Sequence, residues 1–180
     1  TRRACCSTSE RTMRRSILGL LCALSFGPLG AVAAAPQQDP WSGAYRLEWL
    51  KGTRAAEKGA EGSDVILARA PDADPEKLAE KYRSDPARWT MAQTDNARER
   101  TTLRRFLATE YKGMGWAGLH GDGRIECLDA GHMFVCRTTP GATITVGPEG
   151  PNRETLSAQT GVFGVVLHAG AFQLKKLEEK

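Results

Sequence analysis

The chain has 180 residues, with 25 Lys and Arg against 21 Asp and Glu. Five of the bases (Arg2, Arg3, Arg11, Arg14, Arg15) and one acid (Glu10) fall in the first 33 positions, which leaves the rest balanced at 20 against 20. A balanced chain has no net field with which to gather nucleic acid or an anionic membrane, so neither is expected as a partner.

The first residue is Thr1 and the first methionine is Met13, so residues 1–12 read as a non-native upstream extension. Arg14 and Arg15 precede an apolar run from Ile17 to Val32, and Ala31-Val32-Ala33-Ala34-Ala35 follows. This order of basic, apolar and small-residue segments is that of a secretory signal peptide, 13–33, with cleavage expected after Ala33. Gly19, Gly27, Pro28 and Gly30 interrupt the run, whereas a spanning helix needs about 20 apolar residues. Cys22 sits inside the apolar run, too early to accept a lipid, so no stable membrane anchor is expected. The remaining 34–180 are expected to form one periplasmic or secreted domain, with about two-thirds of its unfolded surface buried. Of five cysteines, Cys5, Cys6 and Cys22 belong to the leader region, leaving Cys127 and Cys136. An isolated pair in an oxidising compartment points to a disulfide.

Residues 36–43 contain two prolines and a glycine and read as an extended opening segment. Tyr45, Leu47 and Trp49 alternate with Arg46 and Glu48, as in a half-buried strand. Residues 51–63 are rich in glycine, alanine and charge and read as a loop, before a second strand at 64–70. Asp74-Pro75-Glu76 carries a helix-start signature and predicts a helix to about Arg83, with a further helical turn around Trp89. Leu103, Phe106 and Leu107 stand at helical spacing and predict a helix over 95–109, although Thr101-Thr102 and the alternation also allow a strand. Together these define a helical insertion over about 74–108. From 111 to 177 short apolar runs alternate with turn signals such as Gly121-Asp122-Gly123 and Pro140-Gly141, which predicts an antiparallel meander. Its strands are expected at 115–119, 124–129, 133–138, 143–146, 155–160, 163–168 and 172–177.

Gly113-Met-Gly115-Trp-Ala-Gly118 matches the G-x-G-x-x-G string of dinucleotide-binding folds, but no acid stands about 20 residues on. The glycines are expected to bend the chain around Trp116. His120, His132 and His168 form no i, i+4 ligand pair, and no nucleophile elbow is present. Glu110, Asp122, Glu126 and Asp129 read as solvated strand ends and ion pairs rather than as a hydrolytic pair. No catalytic residue, metal ligand or cofactor is therefore expected.

The segment Cys127-Leu-Asp-Ala-Gly-His-Met-Phe-Val-Cys136 reads as a hairpin. With Gly131-His132 as a two-residue type II′ loop, Asp129 faces Phe134, Leu128 faces Val135, Cys127 faces Cys136 and Glu126 faces Arg137. Cys127 and Cys136 then form a non-hydrogen-bonded pair, whose α-carbons lie at roughly 4.5 Å, within reach of a disulfide.

The expected fold is thus α+β: an antiparallel meander or partial barrel with a helical insertion. Lacking a catalytic constellation, the chain is expected to be an exported binding module that recognises or inhibits another protein of the cell envelope, as an inhibitor or immunity protein of a hydrolase would. Its expected binding surface is Trp116, His120 and His132, carried on loops of a rigid sheet. One alternative is a barrel carrying a small apolar ligand among Phe163, Val165 and Leu167. Another is a small cell-wall hydrolase using Glu126 or Asp129.

Overall fold

A computed structural model describes residues 39–96, 98–146 and 154–178. The expected extension 1–12, the leader 13–33 and the turn 147–151 lie outside the described residues. Ten strands are described: β1 (Gly43–Trp49), β2 (Ser63–Ala70), β3 (Arg88–Gln93), β4 (Arg100–Arg105), β5 (Ile125–Asp129), β6 (Met133–Thr138), β7 (Ala142–Val146), β8 (Glu154–Ala158), β9 (Val162–Val166) and β10 (Gly170–Lys176). Eight of them close into an antiparallel barrel in the order β1-β10-β9-β6-β5-β4-β3-β2, while β7 and β8 pair as a separate two-stranded sheet.

Period-two alternation fills the barrel. Tyr45 and Leu47, Val65 and Leu67, Trp89 and Met91, Leu103, Leu128, Met133 and Val135, and Phe172 and Leu174 form one buried cluster. Gly164 makes room for Phe172. A β-carbon there would lie 2.2 Å from Phe172 Cζ and 2.6 Å from the Phe134 carbonyl oxygen.

A second cluster lies on the other face of β5, β6 and β9, formed by Tyr111, Trp116, Ile125, Cys127, Cys136, Ile144, Leu156, Ala158 and Phe163. These strands are buried on both faces, so β7, β8 and the short helices α2 (Ala108–Gly113) and α3 (Ala117–Gly121) cover them. Phe163 therefore faces the outer layer, not the barrel interior with Phe172.

The helical insertion over 74–108 is also corrected. Asp74 does cap a turn, its Oδ1 accepting from the Glu76 N–H at 3.1 Å, but only two 3-10 turns follow, Pro75–Lys77 and Glu80–Tyr82. None of their residues is buried, so there is no apolar stripe to hold a longer helix. Trp89 lies in β3 and residues 100–105 form β4. The spacing of Leu103 and Phe106 mimics a helix because the strand ends between them. Leu103 points into the barrel, and Phe106 packs on the outer cluster. Conversely, the strand expected at 115–119 is α3, and the loop 51–63 contains a single helical turn, α1 (Arg54–Glu57), whose Thr53 Oγ1 accepts from Ala56 N–H.

The β5–β6 hairpin has the expected register, Glu126 opposite Arg137 and Cys127 opposite Cys136, and the two cysteines form a disulfide with α-carbons 4.1 Å apart. The Ala130 N–H donates to the Met133 carbonyl at 2.9 Å, and Gly131 alone in the turn has positive φ, +83°.

Two substitutions test this packing. Gly164→Ala is expected to lower stability by about 2–3 kcal/mol, because Phe172 must leave its site and the Phe134 backbone cannot yield. Replacing both cysteines by alanine is expected to cost about 2.5–3 kcal/mol through the larger freedom of the unfolded chain. Urea unfolding of each variant, with the wild type in reductant as a companion, measures both.

Candidate functional site

Antiparallel alternation sorts the connections into two ends. At one end Asp39–Ser42 plugs the barrel. Trp89 Nε1 donates to Asp39 Oδ2 at 3.0 Å, Tyr45 Oη donates to the Trp41 carbonyl at 2.9 Å, and the Arg137 guanidinium lies 5.3 Å from the Trp41 ring centre. Burial pushes the Tyr45 phenol above its ordinary pKa, so it remains a neutral donor in this plug.

The expected binding surface does not assemble. Trp116 is only 2% exposed, its Nε1 donates to the Thr145 carbonyl at 2.8 Å, and its ring meets Phe134 and Phe163 edge-on. Gly115, at φ +73°, lets the chain turn between α2 and α3 and tuck this side chain inward. His120 stacks on Tyr111 with ring centres 3.8 Å apart and its Nδ1 3.3 Å from the Ile125 carbonyl. It precedes β5, whereas the exposed His132 follows it, so the two histidines stand at opposite ends of that strand. Among the described residues, no group of three or more His, Cys, Asp or Glu is placed to hold a metal ion.

Three of the four candidate carboxylates, Glu110, Glu126 and Asp129, are committed to ion pairs, and Asp122 is exposed. Glu126 lies 3.7 Å from Arg137. Arg104 holds both Glu110 and Asp129 at 2.6 Å from Nη2, with a second bond of 2.8 Å from Nη1 to Glu110, and its guanidinium stacks on Tyr82 at 4.3 Å. Burial alone would raise the Glu110 pKa, but bonds from Arg104 and from the Leu107 N–H outweigh it and hold the carboxyl below its ordinary value. Two ionised acceptors on one guanidinium make a clamp between β4, β5 and α2, not a general acid and its base.

The opposite end is open. Leu47, Val65, Met91 and Met133 floor a bowl of about 520 Å³, with Gln93, Glu99 and Thr101 on its rim. Beside it the β5–β6 and β9–β10 turns touch, the Leu167 N–H donating to the His132 carbonyl at 2.8 Å. Leu167 is 62% exposed, and His168 holds φ +65°, the one non-glycine residue in the left-handed region among those described. The ligand-lining role expected of Phe163, Val165 and Leu167 is thereby corrected: Phe163 is fully buried in the outer cluster. The sequence does not single out Met91 or Met133, since the first falls in the segment read as a helical turn around Trp89 and the second reads as an ordinary strand residue; only the barrel order brings them together.

No protein family, curated protein or solved structure matches the chain. Among the described residues, no helix is long and apolar enough to cross a membrane.

The clamp makes a pH prediction. A carboxyl with a depressed folded pKa stabilises fully above the ordinary glutamate value of about 4.3, and the effect is lost as pH falls through the lower folded value. Glu110→Gln is therefore expected to cost about 2 kcal/mol at neutral pH, with the gap to wild type closing in acid. Thermal unfolding of both proteins across that pH range measures it.

Proposed function

We propose that the chain is an exported, non-catalytic binding module that recognises another protein with the open end of its barrel, most concretely as an inhibitor or immunity protein of a cell-envelope hydrolase. The observation that carries it is Leu167. This large apolar side chain stands in water at the same end of the barrel as the open bowl, on the β9–β10 turn beside a left-handed histidine. Residues held in sparsely populated backbone conformations concentrate at functional sites, and a large apolar side chain standing in water is the kind of anchor that protein interfaces bury. The filled interior supports the same proposal, since it makes the barrel a rigid mount for its turns. His132 keeps its expected place in the surface, while Trp116 and His120 leave it. Export rests on the leader pattern at 13–33, and the Cys127–Cys136 disulfide is compatible with an oxidising compartment.

The carrier alternative draws on the same bowl. Its floor favours it less, because Leu47, Val65, Met91 and Met133 are each at most 9% exposed and offer a free apolar molecule little surface to bury.

Leu167→Asp separates fold from recognition. An exposed substitution shifts stability by no more than about 0.5 kcal/mol, whereas loss of an interface anchor weakens a complex about tenfold or more. The measurement is capture from envelope extract on the mature domain, followed by affinity for the recovered hydrolase. A wild-type bait that recovers no protein, or an aspartate variant that binds undiminished, rejects the proposal.

A further inference from the structure

A second cavity, of about 340 Å³, lies on the outer wall of the barrel between β3, β4 and the β5–β6 turn, bordered by Tyr82, Arg88, Thr102, Arg104, Asp129 and Gly131. We propose that it binds a small carboxylate ligand, with Arg88 as the principal donor and Thr102 as the second. The proposal is independent of partner recognition at the open end.

The inference starts from charge. Arg88 and Arg104 stand directly opposite each other on β3 and β4, and alternation places Thr102 on the same face. Two like charges in register repel unless each is compensated. Arg104 is compensated by Glu110 and Asp129. Arg88 is not. It is 9% exposed, and it is the buried charged residue among those described. Its Nη1 donates to the carbonyls of Asp85 at 2.9 Å and Ala87 at 2.7 Å, and no carboxylate among the described residues lies within ion-pairing distance of it.

The nearby anions are engaged elsewhere. Asp129 gives Oδ2 to Arg104 and Oδ1 to the Gly131 N–H, while Asp85 accepts from the Ala87 N–H and pairs with Arg105. Glu110 is held by Arg104 and by the Leu107 N–H. The residues that border the cavity thus carry one more positive than negative charge.

A guanidinium has five N–H donors in a planar fork. With Nη1 spent on carbonyls, Nε and Nη2 remain as a parallel side-on pair, and neither is a sealed, unsatisfied atom. That pair matches the two oxygens of a carboxylate. The threonine hydroxyl can donate to the same ligand, and the Tyr82 ring, already under Arg104, gives an apolar wall for whatever carries the carboxylate.

The test uses the full chain at neutral pH and constant ionic strength, titrated with acetate, benzoate, sulfate and the uncharged benzamide by NMR. Saturable shifts at residues bordering the cavity are expected for acetate and benzoate, and none for benzamide. Arg88→Met removes the charge while keeping the volume, and is expected to weaken benzoate at least about tenfold in the folded protein. Thr102→Val is expected to weaken benzoate about threefold and serves alone if the methionine variant does not fold. The proposal is overturned by absence of saturation, by sulfate binding as tightly as benzoate, or by an unchanged benzoate affinity in either folded variant.

Discussion

The barrel depends on closing one short seam. Every other neighbouring pair of barrel strands aligns at four or more positions, but β4 and β5 align at two, Arg104 with Asp129 and Arg105 with Leu128. Beyond them the Phe106 N–H reaches the Cys127 carbonyl at 3.0 Å, and then the chain turns away into α2. The next donor on β5, the Cys127 N–H, would be left without a strand partner, and an unpaired buried amide is costly. The Tyr111 hydroxyl accepts from it at 2.7 Å. A side chain thus completes the seam where the backbone cannot, and burial keeps that phenol neutral by raising its pKa. The Arg104 clamp then ties the same three elements together through charge.

That seam explains the layer outside it. To place Tyr111 at β5, α2 must lie against the outer face of the barrel, where Phe106 packs on Tyr111 and Phe134. The outer face of β5, β6 and β9 is therefore apolar, with Cys127, Cys136 and Phe163 on it. Such a face cannot be left in water, and the β7–β8 sheet with Ile144 and Leu156 covers it. The disulfide sits at the centre of this two-sided wall. It joins two strands buried on both faces, and with both cysteines buried it belongs to the scaffold rather than to any exposed chemistry.

What could be read in the chain beforehand follows from locality. The β5–β6 hairpin was legible in full because turn geometry, charge pairing and the two cysteines all act within twelve residues. The strands β1 and β10 are legible through alternation, and β2 through the apolar run Val65-Ile66-Leu67. The strands β3 and β4 were not, since an Asp-Pro start signal and the accidental helical spacing of Leu103 and Phe106 outweighed two short alternating runs; ring closure, a non-local demand, decided between them. Trp116 was misread for a related reason. A tryptophan among glycines suggests display, but burial depends on β7 and β8, which lie some 30 residues on and supply the Thr145 carbonyl it binds.

The same constraints narrow where the molecule can meet anything else. One end is sealed by the Asp39–Ser42 plug with Trp41 buried beneath Arg137. One side is covered by the outer layer. The open end lacks such a plug; its turns brace one another, through Leu167 N–H to the His132 carbonyl and Ala55 N–H to the Ala169 carbonyl, and they still leave Leu167 in water beside a left-handed His168. A fold this heavily determined at its seam and its closed end leaves little latitude for function there, because a change at Tyr111, Glu110 or Trp41 unmakes the barrel first. Substitution at the exposed open rim costs the fold little, so the binding surface proposed above lies where the scaffold constrains sequence least.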